Sequence, residues 1–131
     1  MRKKNFSYLF LFCFIVNQAE IKANEITIGI VLGFTGPIES IVPSMVSSVE
    51  LAISEANSSN IFLNAEEKIN SIKIDTMCDK SKIKSVNKII NENNIVAIIG
   101  AACPGISEGI LLGPANEKNV PMISPSATTP L

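Results

Sequence analysis

The chain of 131 residues has no histidine, no tryptophan and a single tyrosine, Tyr8. Without histidine there is no side chain whose ordinary pKa lies near neutrality to serve as a general base, and no imidazole for a metal site. Aspartate is scarce as well. Asp75 and Asp79 are the only two, four residues apart around one strand end, so no acidic pair gathers at a first strand. The few glycines, among them Gly29, Gly33 and Gly36, do not form G-x-G-x-x-G, and no P-loop lysine is present. Charge of one sign is also missing: the formal net charge is −1, and beyond residue 23 there is no Lys/Arg cluster. That argues against nucleic acid as a partner. No metal and no cofactor is expected, and with most acid–base, metal and redox chemistry removed the chain is not expected to be an enzyme.

What is present begins with an address. Arg2, Lys3 and Lys4 precede an apolar run from Tyr8 to Val16, then polar Asn17 and Gln18, then small Ala19 and Ala23. A basic start, a short apolar run and a small residue at the cut describe a secretory signal peptide. The run is too short to span a bilayer as a helix. Cleavage after Ala23 is expected, although Ile21 is bulky for its place before the cut. An uncleaved anchor and a buried first helix are the alternatives. Cys13 lies between Phe12 and Phe14, without the small neighbour a lipoprotein signal needs, so the product should be soluble and periplasmic. Removing residues 1–23 takes basic residues from 11 to 7 and acidic ones from 12 to 11, leaving a net charge of −4.

Beyond residue 24 strands and helices alternate. Glu25–Phe34 is β-branched and apolar and closes on Gly33 and Gly36-Pro37, a strand and its loop. Ser44–Asn57 carries Met45, Val49, Ala52 and Ala56 at helical spacing. Asn64–Asn70 reads as a solvated connection, and Ser71–Cys78 as a strand near an edge. Ser81–Asn91 has Ile83, Val86 and Ile90 on one helical face. Val96–Gly100 is a short buried strand, Ile106–Leu112 opens a third helix that Gly113-Pro114 must end or kink, and Val120–Ser124 is a fourth strand, also read as buried. The order βαβαβαβ implies right-handed crossovers and an α/β fold with a doubly wound parallel sheet in flavodoxin-like order. The chain closes on a loop at Thr128–Leu131, so the sheet is expected to be incomplete.

In such sheets ligands bind outside the carboxyl ends of the strands. Those ends are Gly33–Pro37, Cys78–Asp79, Ala101–Ser107 and Pro125–Thr129. The third enters a helix with free backbone N–H groups, a seat for a carboxylate. The fourth follows Ser124 and brings Ser126, Thr128 and Thr129, hydroxyls able to orient an amino acid without net charge; a loop that merely turns the chain has the same composition. Cys78 and Cys103 each follow a strand end, on strands expected to be neighbours. In an exported protein they should be bridged, two free buried thiols being the alternative. Asp79 is the expected N-cap of the second helix.

Together the segments Ile26–Pro37 (I-x-I-G-I-x-x-G-F-T-G-P), Asp75–Asp79 (D-T-M-C-D), Ile98–Gly105 (I-I-G-A-A-C-P-G) and Pro121–Thr128 (P-M-I-S-P-S-A-T) resemble the leucine/isoleucine/valine-binding protein family, the type I periplasmic receptors of ABC importers. The resemblance covers nearly the whole mature segment, from Ile26 to Leu131. It implies that residues 24–131 are the N-terminal lobe of a two-lobed receptor whose second lobe lies outside this sequence. The function implied is binding of a branched-chain amino acid, or a related small amide or carboxylate, for delivery to an ABC permease in the inner membrane. It implies the Cys78–Cys103 disulfide, and ligand contacts from Ser126, through its backbone, and Thr128. Where many members have a serine after the second cysteine, this chain has Pro104, with neither N–H nor hydroxyl. The Gly105 amide or the Ser107 hydroxyl are the expected replacements. The loop Ile38–Met45 lacks the aromatic that many members place after the first strand, and the acidic partner for a ligand ammonium belongs to the second lobe. The same lobe serves sensing ectodomains of signalling receptors, the alternative function.

Overall fold

The computed structural model describes residues 24–59, 63–64 and 66–128. The signal segment 1–23 and Thr129 lie outside them. Four strands form one parallel sheet: β1 (Asn24–Leu32), β2 (Glu67–Asp75), β3 (Ala97–Gly100) and β4 (Met122–Ile123), in the order β2-β1-β3-β4. Three helices connect them: α1 (Val42–Ser58), α2 (Ile83–Glu92, after a 3-10 turn at Lys80–Lys82) and α3 (Pro104–Ile110). This is an α/β fold with the doubly wound order expected from the alternation of elements.

The order dictates which face each helix covers. From β1 the chain steps outward to β2, then reverses, crossing to β3 and on to β4. With crossovers of one hand, the reversal sends α1 to one face and α2 and α3 to the other. Two separate cores result. Ile30 and Leu32 of β1 pack with Val42 and Val46 of α1. Val31 of β1, Ile74 of β2 and Ile98 of β3 pack with Val86 and Ile90 of α2 and Ile106 and Ile110 of α3. β1 is buried on both faces, which explains its unbroken apolar run; β2, at the edge, alternates.

Local chemistry sets the ends. α1 has no side-chain cap at Ile41 but carries a proline in its first turn, where a missing N–H removes nothing. Near its other end Asn57 grips the open edge of β2, donating Nδ2 to Ile69 O at 2.9 Å and accepting Ile69 N–H at 2.8 Å. An edge strand otherwise offers such groups to any passing chain. Asp79 accepts the Ser81 N–H at 2.8 Å and its hydroxyl at 2.8 Å, capping the 3-10 turn that leads into α2.

Two expectations, for β2 and β4, are corrected, and one is met. β2 begins at Glu67 rather than Ser71: the backbone of residues 67–70 continues the ladder with β1, Asn24 lying opposite Glu67, and an edge position tolerates their polar side chains. The third helix kinks at Gly113, as Gly113-Pro114 required: Gly113, with φ −106° and ψ −121°, leaves the helical path just before the proline. β4 is only two residues long, and Ile123 is 73% exposed rather than buried.

Candidate ligand-binding site

The carboxyl ends of the strands carry four loops, which leave the sheet toward opposite faces at the reversal between β1 and β3. At such a reversal doubly wound sheets bind their ligands. The first loop turns at Gly36, whose φ of +96° is a left-handed conformation. A methyl group there would sit 2.9 Å from the Met77 carbonyl oxygen, so the first and second loops are in close apposition.

Asp75, the last residue of β2, joins these two loops. Its Oδ2 accepts the Thr35 hydroxyl at 2.7 Å, and its Oδ1 accepts the N–H groups of Thr35 at 3.3 Å and Met77 at 3.0 Å. Partial desolvation pushes the carboxyl pKa up. The Thr35 hydroxyl and the Met77, Thr35 and Phe34 amides outweigh it, and the net pKa lies below the ordinary carboxylate value. For exposed Asp79 the Ser81 amide, then its hydroxyl, lower the pKa in the same direction.

Cys78 and Cys103 are bridged, with Cα atoms 5.7 Å apart, within the reach of a disulfide. The strands that carry them are not neighbours, which corrects the sequence expectation. β1 lies between β2 and β3, and the bridge crosses over its end. The crossing needs Gly33: a methyl group there would meet Cys78 Sγ at 3.2 Å and Ile38 Cγ1 at 3.0 Å.

The third loop is tied to the fourth. Ser124 Oγ donates to Ala101 O at 2.6 Å and itself accepts the Ala127 N–H at 2.9 Å. Ser126 Oγ donates to Ala102 O at 3.0 Å. Of the four residues singled out in the sequence, Gly105 sits half-buried in the first turn of α3, where the Lys80 side chain lies against it. Ser107 is buried, its hydroxyl directed to Ala101 O at 2.9 Å and Cys103 O at 3.3 Å. Ser126 and Thr128 are exposed on the fourth loop. The serines thus brace the loop backbones, and Thr128 stays exposed beside them. The Thr35–Asp75 contact was not read from the sequence. The β1–β2 register carries the signal, since it sets Asp75 opposite Leu32, three residues before Thr35.

An open groove of about 480 Å³ lies between the second half of α1 and Lys68 and Ser71 of β2, toward the amino ends of the strands and away from these loops. Among the described residues no group of Cys, Asp and Glu is placed to hold a metal ion, and no helix is long and apolar enough to cross a membrane.

The strands and helices make a parallel doubly wound lobe. The chain belongs to the family described as the receptor family ligand-binding region, of the type I periplasmic binding protein fold, whose model matches residues 44–131. Solved structures agree in fold. The branched-chain amino acid transporter substrate-binding protein LivJ of Streptococcus pneumoniae, in complex with isoleucine, matches with a TM-score of 0.70 and 24% identity over 80% of this chain and 30% of its own. The leucine-binding protein LivK of Thermotoga maritima matches with 0.67 and 24% identity, over 79% and 28%. An ABC transporter solute-binding protein of R. palustris, in complex with benzoate, matches with 0.66 and 20%, again over 79% and 28%. The chain therefore spans about 30% of the length of LivJ. No curated protein sequence matches it.

Proposed function

We propose that this chain is the first lobe of an exported receptor that holds a small carboxylate, a branched-chain amino acid or a related compound, between two lobes and delivers it to an ABC permease in the membrane. The observation that carries this reading is the gathering of the first turn of α3 and the hydroxyl-bearing segment 124–128 at the strand ends, tied together by the Ser124 and Ser126 bonds to the Ala101 and Ala102 carbonyls. The polar groups there are neutral and hydrogen-bonding, suited to a carboxylate taken out of water. The Gly105 amide, the Ser126 backbone and Thr128 are the contacts to ligand. Ser107 acts beneath them by holding the Ala101 and Cys103 carbonyls. The role is binding without chemistry: the serine hydroxyls point to carbonyl oxygens rather than to a base, and the sequence has no histidine. Bound carboxylates in structural neighbours, isoleucine in one and benzoate in another, support the ligand class. The basic and apolar residues 2–16 support export.

Calorimetry on the complete exported receptor with leucine, isoleucine, valine and benzoate tests the reading. Micromolar binding of at least one, weakened by substitution of Thr128, is expected. No heat from any of the four would sink it. A signalling domain encoded downstream, in place of a neighbouring permease, would favour the sensing ectodomain instead.

A further inference from the structure

Four loops from distant parts of the sequence meet at the rim, and each is tied to the next by a different bond. Asp75 joins the first loop to the second through Thr35 and Met77. The Cys78–Cys103 bridge joins the second to the third. Ser124 and Ser126 join the third to the fourth through the Ala101 and Ala102 carbonyls. We infer that Asp75 is a positioning residue for the rim: it fixes the first loop and the Met77–Cys78 turn and, through the disulfide, the turn that presents Gly105, without touching ligand itself. The inference rests on the proposed ligand site.

The local backbone explains why an anchor is required. Met77 and Cys78 have φ values of 52° and 53°, a left-handed conformation that neither side chain favours. Such a turn persists only where surrounding bonds over-determine it. Those bonds are Met77 N–H to Asp75, Cys78 N–H to Thr76 Oγ1 at 3.4 Å and Asp79 N–H to Thr76 O at 2.9 Å. Only the first also reaches another loop, because the same carboxylate holds Thr35. The Gly36–Met77 apposition then fixes the spacing of the first two loops. Cys78, in the middle of this geometry, is covalently attached to Cys103, two residues before Gly105. A loosened Met77–Cys78 turn therefore releases the start of α3 as well. Both carboxylate oxygens are engaged within the protein, as the positioning role requires.

The test is amide hydrogen exchange on the full exported chain, which needs no ligand. In D75A, exchange should rise about tenfold over residues 34–37 and also over 103–106, beyond the bridge. D75N keeps an acceptor oxygen for both amides and should stay within about twofold of the parent. T35V, a milder change with less effect on folding, should loosen residues 34–37 and 76–79 in the same direction. After reduction of the disulfide, D75A should still differ from the reduced parent at 34–37 but no longer at 103–106. Unchanged exchange at 103–106 in oxidised D75A, or an equal rise in the reduced chain, overturns the inference. Calorimetry with leucine and benzoate on the complete receptor adds a second criterion: D75A should weaken binding about tenfold and D75N should restore it. Equal loss in both variants would make the charge itself a ligand contact and refute the positioning role. If neither probe binds the parent, the ligand reading fails, while the exchange result still decides the role of Asp75.

Discussion

Removing the Cys78–Cys103 bridge should destabilise the chain by an amount that follows from its place in the sequence. The cysteines are 25 residues apart, and the segment they close contains α2 and β3. In the chain-entropy account, opening a loop of that length restores conformational freedom to the unfolded chain worth about 3.5 kcal/mol at 25 °C. For a domain of about 100 residues, the shift in melting temperature would be on the order of 15 °C. The assay is urea unfolding of the exported chain, compared with the Cys78→Ser/Cys103→Ser double variant and with the parent under reductant. Midpoints should fall together in the two reduced forms. In the folded state the serine and Asp75 bonds still hold the loops, so most of the effect should come from the unfolded state. A loss below about 1 kcal/mol would refute that reasoning, because the unfolded chain would then gain little freedom when the bridge opens.

Further outcomes are expected. The pKa of Asp75 is lower in the folded chain than its ordinary value of 3.8, so the folded state binds fewer protons there, and its contribution is present above that pH and lost as pH falls through the folded value. Thermal melts between neutral and strongly acid pH should show a shallower acid limb in D75N; an identical limb would remove Asp75 from the account, leaving Asp79 with its shift of the same sign. Ile98→Ala, at 1% exposure, should cost about 2–5 kcal/mol, and Ile123→Ala, at 73%, no more than about 0.5 kcal/mol. Equal losses in chemical denaturation would mean that the Ile123 face is covered in solution. N-terminal sequencing of exported material should begin near Asn24, and a start at Met1 would count against processing. Residues 24–131 alone should bind leucine, valine or benzoate no better than millimolar, because a few neutral hydrogen bonds of about 0.5–1.5 kcal/mol each must offset the association cost at an open surface. A micromolar constant by calorimetry would make one lobe a complete site.

Much of this molecule was determined by the sequence on its own. The unbroken Ile28–Leu32 run belongs to a strand buried on both faces, and the alternation in Ser71–Asp75 belongs to an edge. The helical spacing of Val86 and Ile90 gives a helix packed on the sheet. These are local patterns of burial, repeated at the period of each element, and they lead to the doubly wound order without knowledge of any contact. The hydroxyls near residue 126 and the two cysteines could be placed at strand ends for the same reason.

What only the tertiary structure decided are relations between segments far apart in the chain. The disulfide crosses the end of β1 because the chain reverses direction there, and Gly33 matters because the bridge passes over it. Thr35 and Asp75 meet only through the β1–β2 register. Ser107, which in the sequence could equally have faced a ligand, turns inward to the Ala101 and Cys103 carbonyls. Ile123 is apolar like its neighbours, yet it is exposed. A single sequence records how each residue suits its own element. Which partner it meets depends on strand order and register, set by the packing of the whole sheet.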